Sequence, residues 1–218
     1  MLRKTLILAF AVLLSGCGID YDAETKIIFD GYITNAAGNP LKDVEVLVHV
    51  GNGSGSDIIG IATTNSNGYY KTIFPKPENN STSTELKINY SRYGINNTPY
   101  SQTVISNIRL ANIKDYKISF EAQSLYDQQD SVELMLNPQA VSGLNIVKLN
   151  VEGFVEQKVI DHDFNAPPAS TDELWNSPSV YTVKKNQVVK IKYMLADNSI
   201  HEISTIVTDV NTTLTFDY

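Results

Sequence analysis

From Lys26 onward, apolar residues fall at every second position along most of the chain. Val44, Val46, Val48 and Val50 are separated by Glu45, Leu47 and His49, which sets the four valines on one face of a strand. The same alternation recurs at Leu86-Lys87-Ile88-Asn89-Tyr90, Ile118-Ser119-Phe120 and Val132-Glu133-Leu134-Met135-Leu136. Turn residues separate these runs: Asn39-Pro40, the glycine-rich Gly51–Gly55, and Asn67-Gly68, which predicts a tight type I′ hairpin because both residues accept positive φ. No stretch after residue 25 sustains a helical period of 3.6. The pattern predicts about seven strands near 26–34, 43–50, 57–64, 69–74, 84–92, 115–121 and 131–136.

Beyond Asn137-Pro138 the period of two resumes. Val147, Leu149 and Val151 alternate, then Val189, Ile191, Tyr193 and Leu195, then Leu214, Phe216 and Tyr218, with Asp197-Asn198-Ser199 as a hairpin turn. The chain therefore reads as all-β: two antiparallel β-sandwich domains, 26–138 and 143–218, the first with the strand count of an Ig-like sandwich. A unit as small as the second buries only ~60% of its unfolded surface, so packing against the first is expected.

The first 16 residues do not belong to this pattern. Arg3 and Lys4 precede nine apolar residues, Leu6–Leu14. That run is too short for a bilayer span of ~20 residues and suits the hydrophobic region of an export signal. Leu14-Ser15-Gly16-Cys17 resembles the bacterial lipoprotein box, which implies cleavage before Cys17 and acylation of that residue, the only Cys in the chain. The expected order is thus a signal peptide at 1–16 and a lipidated tether at 17–25. By the same resemblance, Gly18 after the Cys implies outer-membrane sorting. Asp20, Asp22 and Glu24 resemble the acidic patch of Bacteroidota surface lipoproteins, although a solvated tether explains them equally well.

Three segments carry a second resemblance: Phe29-Asp30-Gly31-Tyr32-Ile33-Thr34, Gly38-Asn39-Pro40-Leu41-Lys42-Asp43-Val44-Glu45-Val46 and Ala62-Thr63-Thr64-Asn65-Ser66-Asn67-Gly68-Tyr69-Tyr70. Together they resemble the carboxypeptidase regulatory-like, or transthyretin-like, family. The resemblance implies a noncatalytic β-sandwich, with Pro40 pre-setting φ in its turn and Leu41 and Val44 closing the core.

The 218 residues carry 17 Lys+Arg against 24 Asp+Glu, a net charge of −7 that repels phosphate backbones and argues against a nucleic-acid partner. Reactive side chains are scarce, with three His and one Cys. In Asp161-His162-Asp163 an extended backbone would turn His162 away from both carboxylates, so a solvated edge or loop is the simpler reading than a metal site. His49 and His201 sit in alternating strands without ligand spacing. Gly51–Ser56 lacks the Lys and following helix of a phosphate loop, and no segment has EF-hand spacing for calcium. Asp130-Ser131-Val132 resembles a short O-glycosylation acceptor. No catalytic group, cofactor or metal is expected.

One segment stands out, the Pro-rich stretch 164–178, which holds the only Trp. A loop of that length is often functional. Trp175, with Tyr181 and Phe164, is a candidate aromatic platform for a glycan or peptide; alternatively Leu174 and Trp175 plug the end of the second sandwich. The expected protein is a noncatalytic binding or scaffolding module, held by its lipid on the periplasmic or cell-surface face of the outer membrane, with a protein or glycan partner. The alternatives are a purely structural accessory subunit of an envelope complex and a hydrolase with an unrecognised site in the second domain. For the anchor, mass spectrometry of the membrane-extracted protein is expected to find an acylated Cys17, and Cys17→Ser is expected to move the protein to the soluble fraction.

Overall fold

The computed structural model describes residues 19–52, 55–78, 83–93, 98–108, 113–159, 164–165 and 175–218. The described chain is built from strands with two short 3₁₀ turns at Lys114–Tyr116 and Gln128–Asp130. One sheet places β4 (Tyr69–Pro77) antiparallel beside β1 (Tyr21–Asn35), with β7 (Lys117–Ser119) and β8 (Gln123–Leu125) added in parallel. Facing it is a five-stranded sheet in the order β11 (Gln157–Val159), β6 (Thr103–Ser106), β5 (Ser83–Ile88), β2 (Glu45–Asn52) and β3 (Gly55–Thr63). The inward residues of both sheets meet in one core: Ile27, Phe29, Ile33, Tyr70 and Phe74 against Val46, Val48, Leu86, Ile88 and Ile105. Phe29 packs edge-on to Phe74 and Phe120, with ring centroids 4.8 and 5.1 Å away.

The Asn67-Gly68 turn differs from the expected type I′ hairpin. Only Gly68 has positive φ, 72°, and the turn is closed by the Gly68 N–H donating to the Asn65 carbonyl. Rather than pairing β3 with β4, it carries the chain from one sheet to the other. Ile33 N–H donates to Gly68 O at 2.8 Å, and a Cβ on Gly68 would run into the Ile33 carbonyl oxygen. Glycine is required there by both backbone sign and close approach.

Residues 21–25, expected to lie in a tether, belong to β1. Residues 21 and 22 already pair with Pro77 and Lys76, and a register shift then leads to Lys26 opposite Pro75. The Asp22 carboxylate accepts the N–H groups of Glu24 and Thr25, which holds the irregular residues locally. Cys17 and the expected signal peptide at 1–16 lie outside the described residues.

A second core gathers Leu134, Leu136, Ile146, Leu149, Val151, Tyr181, Val183, Val189, Ile191, Tyr193 and Phe216. Its sheets are β10 (Ile146–Glu152), β13 (Gln187–Leu195) and β14 (Ile200–Val207) on one side, and β12 (Ser179–Lys184), β9 (Ser131–Gln139) and β15 (Thr212–Asp217) on the other. The boundary expected at residue 138 is thereby corrected. β9 pairs antiparallel with β12 and parallel with β15, so its alternating leucines fill the second core and not the first. Alternation identified the strand; distant partners decided which sandwich it joins.

The two sandwiches are joined by a strap, residues 153–159. Glu156 N–H donates to Thr182 O at 2.9 Å, and Val155 bridges Val183 of β12. Glu156 also reaches the first sandwich: Val104 N–H donates to Glu156 O at 2.7 Å, and β11 then pairs in parallel with β6. The strap begins at Gly153, with φ 137°, where Gln187 binds the backbone of Phe154 on both sides, accepting its N–H at 2.9 Å and donating to its carbonyl at 3.0 Å. Trp175 lies against the second core and reports on it. Leu134→Ala is expected to destabilise the Trp175-detected unfolding transition by about 2–5 kcal/mol in a denaturant melt.

Candidate functional site

The structure does not assemble the predicted aromatic platform. Tyr181, on β12, is 6% exposed inside the second core. Phe164 is 9% exposed and belongs to a different cluster with Val147 and Met194, where the Lys192 ammonium lies 4.7 Å from its ring centre. Trp175 is half-buried against the second core, its backbone N–H donating to the Ile146 carbonyl at 3.0 Å. The reason is alternation: Tyr181 sits on the inward phase of β12, so its ring fills the sandwich and offers no face to a ligand. Leu174 and Asp161-His162-Asp163 lie outside the described residues. His201 is exposed and stacks on Tyr193, and the half-buried His49 is pushed down by desolvation and then by Lys87. Among the described residues no group of three or more His, Cys, Asp or Glu side chains could hold a metal.

What the fold brings together lies at the junction. A cleft of about 340 Å³ opens where β6, the β7–β8 connection, β10 and β11 meet, and its walls include Ile105, Phe120, Val151 and Val159. That volume is within the range of small-molecule sites. Five polar side chains face it: Glu121, Gln123, Asn150, Glu152 and Lys158. They come from three separate stretches of the chain. Lys158 is on the strap, Gln123 on β8, Asn150 and Glu152 on β10, and Glu121 just before β8.

These groups are partly ordered by one another. The Lys158 ammonium donates to Gln123 Oε1 at 2.8 Å, and Gln123 Nε2 donates to the Glu121 carbonyl at 2.8 Å. Asn150 Nδ2 donates to Glu152 Oε1 at 3.4 Å. Burial pushes the Lys158 ammonium below the usual lysine range, a shift that the nearby Glu121 charge opposes. The arrangement can hold a molecule carrying both hydrogen-bond donors and acceptors. Sequence reasoning missed all five residues, because nothing local links 121–123, 150–152 and 158. The one signal available was Gly153, a glycine directly after an alternating run, which marks where β10 ends and the strap departs.

Beside the cleft, on the strap itself, Glu156 is half-buried with the phenols of Tyr126 and Tyr90 in its neighbourhood. Burial raises its carboxyl above the usual range, opposed by a hydrogen bond from the Gln102 backbone. Tyr126 packs edge-on to Phe154 across the same seam, at 6.5 Å between ring centres. Asp130 and Lys185, flanking β9 and β12, form an ion pair at 2.9 Å.

No family model matches the chain. No curated protein matches it either. Among solved structures it is similar to a mutant of the shaft pilin SpaA from Lactobacillus rhamnosus GG, at 10% identity over 88% of this chain and 98% of that one, with a TM-score of 0.33. It is also similar to the tip fimbrial protein Mfa3 from Porphyromonas gingivalis, at 9% identity over 84% and 82% of the two chains, TM-score 0.31. A third likeness is to a 9R-lipoxygenase from Cyanothece PCC8801, at 18% identity and TM-score 0.33, covering 56% of this chain and only 20% of that enzyme. Overlaps this loose do not bear on what the chain binds or does.

The raised Glu156 carboxyl has a definite sign. Held above its unfolded value, it contributes stability that is present below that value and lost as pH rises through the folded one. The wild-type melting temperature is therefore expected to fall more between pH 4 and pH 8 than that of Glu156→Gln, measured by circular dichroism at matched ionic strength.

Proposed function

We propose that this chain is an exported lipoprotein, acylated at Cys17 and held at the outer membrane. Its two sandwiches serve as a noncatalytic scaffolding or binding module for an envelope protein or glycan, and the first of them is of the carboxypeptidase regulatory-like type. The observation that carries this reading is the strap. Residues 153–159 hydrogen-bond to both sandwiches in succession, so the module resists bending at its junction and presents its outer surfaces in fixed relative positions. Rigid presentation is what a scaffold needs, and it lowers the ordering cost of binding a large partner. Exposed apolar side chains on the outer faces supply contact area: Val188 and Ile206 are cross-strand partners on β13 and β14, 57% and 70% exposed.

A photo-crosslinking residue placed at Ile206 in the membrane-bound protein is expected to capture envelope proteins, and the yield is expected to drop in the Cys17→Ser background. Turnover of an ester, peptide or glycoside that disappears on one polar substitution would replace this reading with that of an enzyme.

A further inference from the structure

We propose that the junction cleft is a saccharide site that takes an uncharged sugar residue, bound through its hydroxyls. The argument begins with Lys158. Its ammonium has three N–H donors, and among the described residues it uses one, on Gln123 Oε1, and forms no ion pair. The residue is half-buried on the wall of the cleft, so acceptor oxygen placed there would meet its two remaining donors.

The opposite demand comes from the rim. Glu121 and Glu152 are exposed carboxylates lining the same space, and carboxylates accept only. Asn150 and Gln123 add one carboxamide each, able to donate and accept. A hydroxyl meets both demands, because it accepts from Lys158 and donates to a glutamate. Several hydroxyls on one ring meet them together.

Charge narrows the class further. Two carboxylates against one ammonium disfavour a uronate or other anion, which would gain Lys158 and lose to both glutamates. A cationic sugar would meet the glutamates but would set its ammonium close to that of Lys158. The neutral ring is the form that conflicts with none of them. Phe120 and Val159, both half-buried, then supply the apolar surface that the C–H face of a sugar ring covers, with the buried Ile105 and Val151 behind them. Phe120 is itself held by its edge contact with Phe29. The walls are anchored on both sandwiches by the strap, so the site exists only when the two are locked together.

This inference deepens the reading of the chain as a binding module, and the test separates the two. The full mature protein is titrated with neutral gluco-, manno- and galacto-oligosaccharides, with hexuronate oligomers and with glucosamine oligomers, followed by ¹⁵N-resolved NMR. A neutral oligosaccharide is expected to bind and to shift the amide signals of Glu121, Gln123, Asn150, Gly153 and Lys158. Glu121 and Glu152 sit on the exposed rim, so Glu121→Ala and Glu152→Ala are expected to keep the wild-type circular dichroism spectrum. Each is expected to weaken binding by about three- to tenfold, and Lys158→Met by about tenfold or more. The inference is overturned if no neutral sugar binds, if the uronate or glucosamine series binds more tightly, or if both rim substitutions leave affinity unchanged. Failure here with the Ile206 crosslinks intact would leave the scaffold reading standing without a sugar in the cleft.

Discussion

Backbone polar groups at the edge of a sheet must find partners, and the strap at 153–159 is where this constraint shapes the molecule. β6 is only four residues long and would otherwise leave one side of the five-stranded sheet unpaired; β12 has the same problem at the edge of its own sheet. One short segment answers both. Its first residues bond to β12 and its last to β6, so two small sandwiches share a single run of hydrogen bonds. Gln187 makes the change of direction possible by satisfying Phe154 on both its N–H and its carbonyl while also donating to Lys184 O. A Cβ at position 153 would lie 2.9 Å from Gln187 Oε1, which ties the glycine, the clamp and the strap into one device.

The junction's chemistry follows from that geometry. Where two β-sandwiches meet, side chains that are solvated in either unit alone become partly desolvated. Glu156 and Lys158 show the two signs of the effect, the carboxyl raised and the ammonium lowered by burial. Neither is fully compensated by an opposite charge. A contrast is Asp30 on the outer face of the β1 sheet. Burial would raise it, but the Lys117 ammonium at 2.7 Å, with Ser119 and Tyr69, outweighs that and holds it low. The polar groups of the seam keep unspent hydrogen-bonding capacity, whereas the sheet-face carboxylate is satisfied.

Much of the fold was legible because alternation is a local property. The valines of β2, the Val189–Leu195 run of β13 and the Ile200 strand emerged from the sequence close to where they lie. The strands that escaped notice are short or weakly patterned. β6, β8 and β11 have three or four residues, too few for a period of two to register, and β12 follows a Pro-rich stretch that reads as loop. The candidate site was illegible in part for the same reason, since Glu121, Gln123 and Lys158 sit on or beside those short strands, while Asn150 and Glu152 lie on β10, whose alternation does not say what its outward face meets. The aromatic platform failed differently. Composition marks Trp175, Tyr181 and Phe164 as conspicuous, but a conspicuous ring is as useful to a core as to a ligand, and phase along the strand placed Tyr181 inside.

By itself the sequence determined the all-β class, the punctuation at Asn39-Pro40 and Asp197-Asn198-Ser199, and which side chains share a strand face, since each depends only on residues within a few positions of one another. Tertiary structure alone decided that β9 joins the second sandwich, that the turn at Gly68 passes between sheets, and that residues 121, 150 and 158 face one cleft. Those outcomes depend on pairings between segments tens of residues apart. A strand's alternation states which face it will bury, but it carries no record of the partner that will cover it.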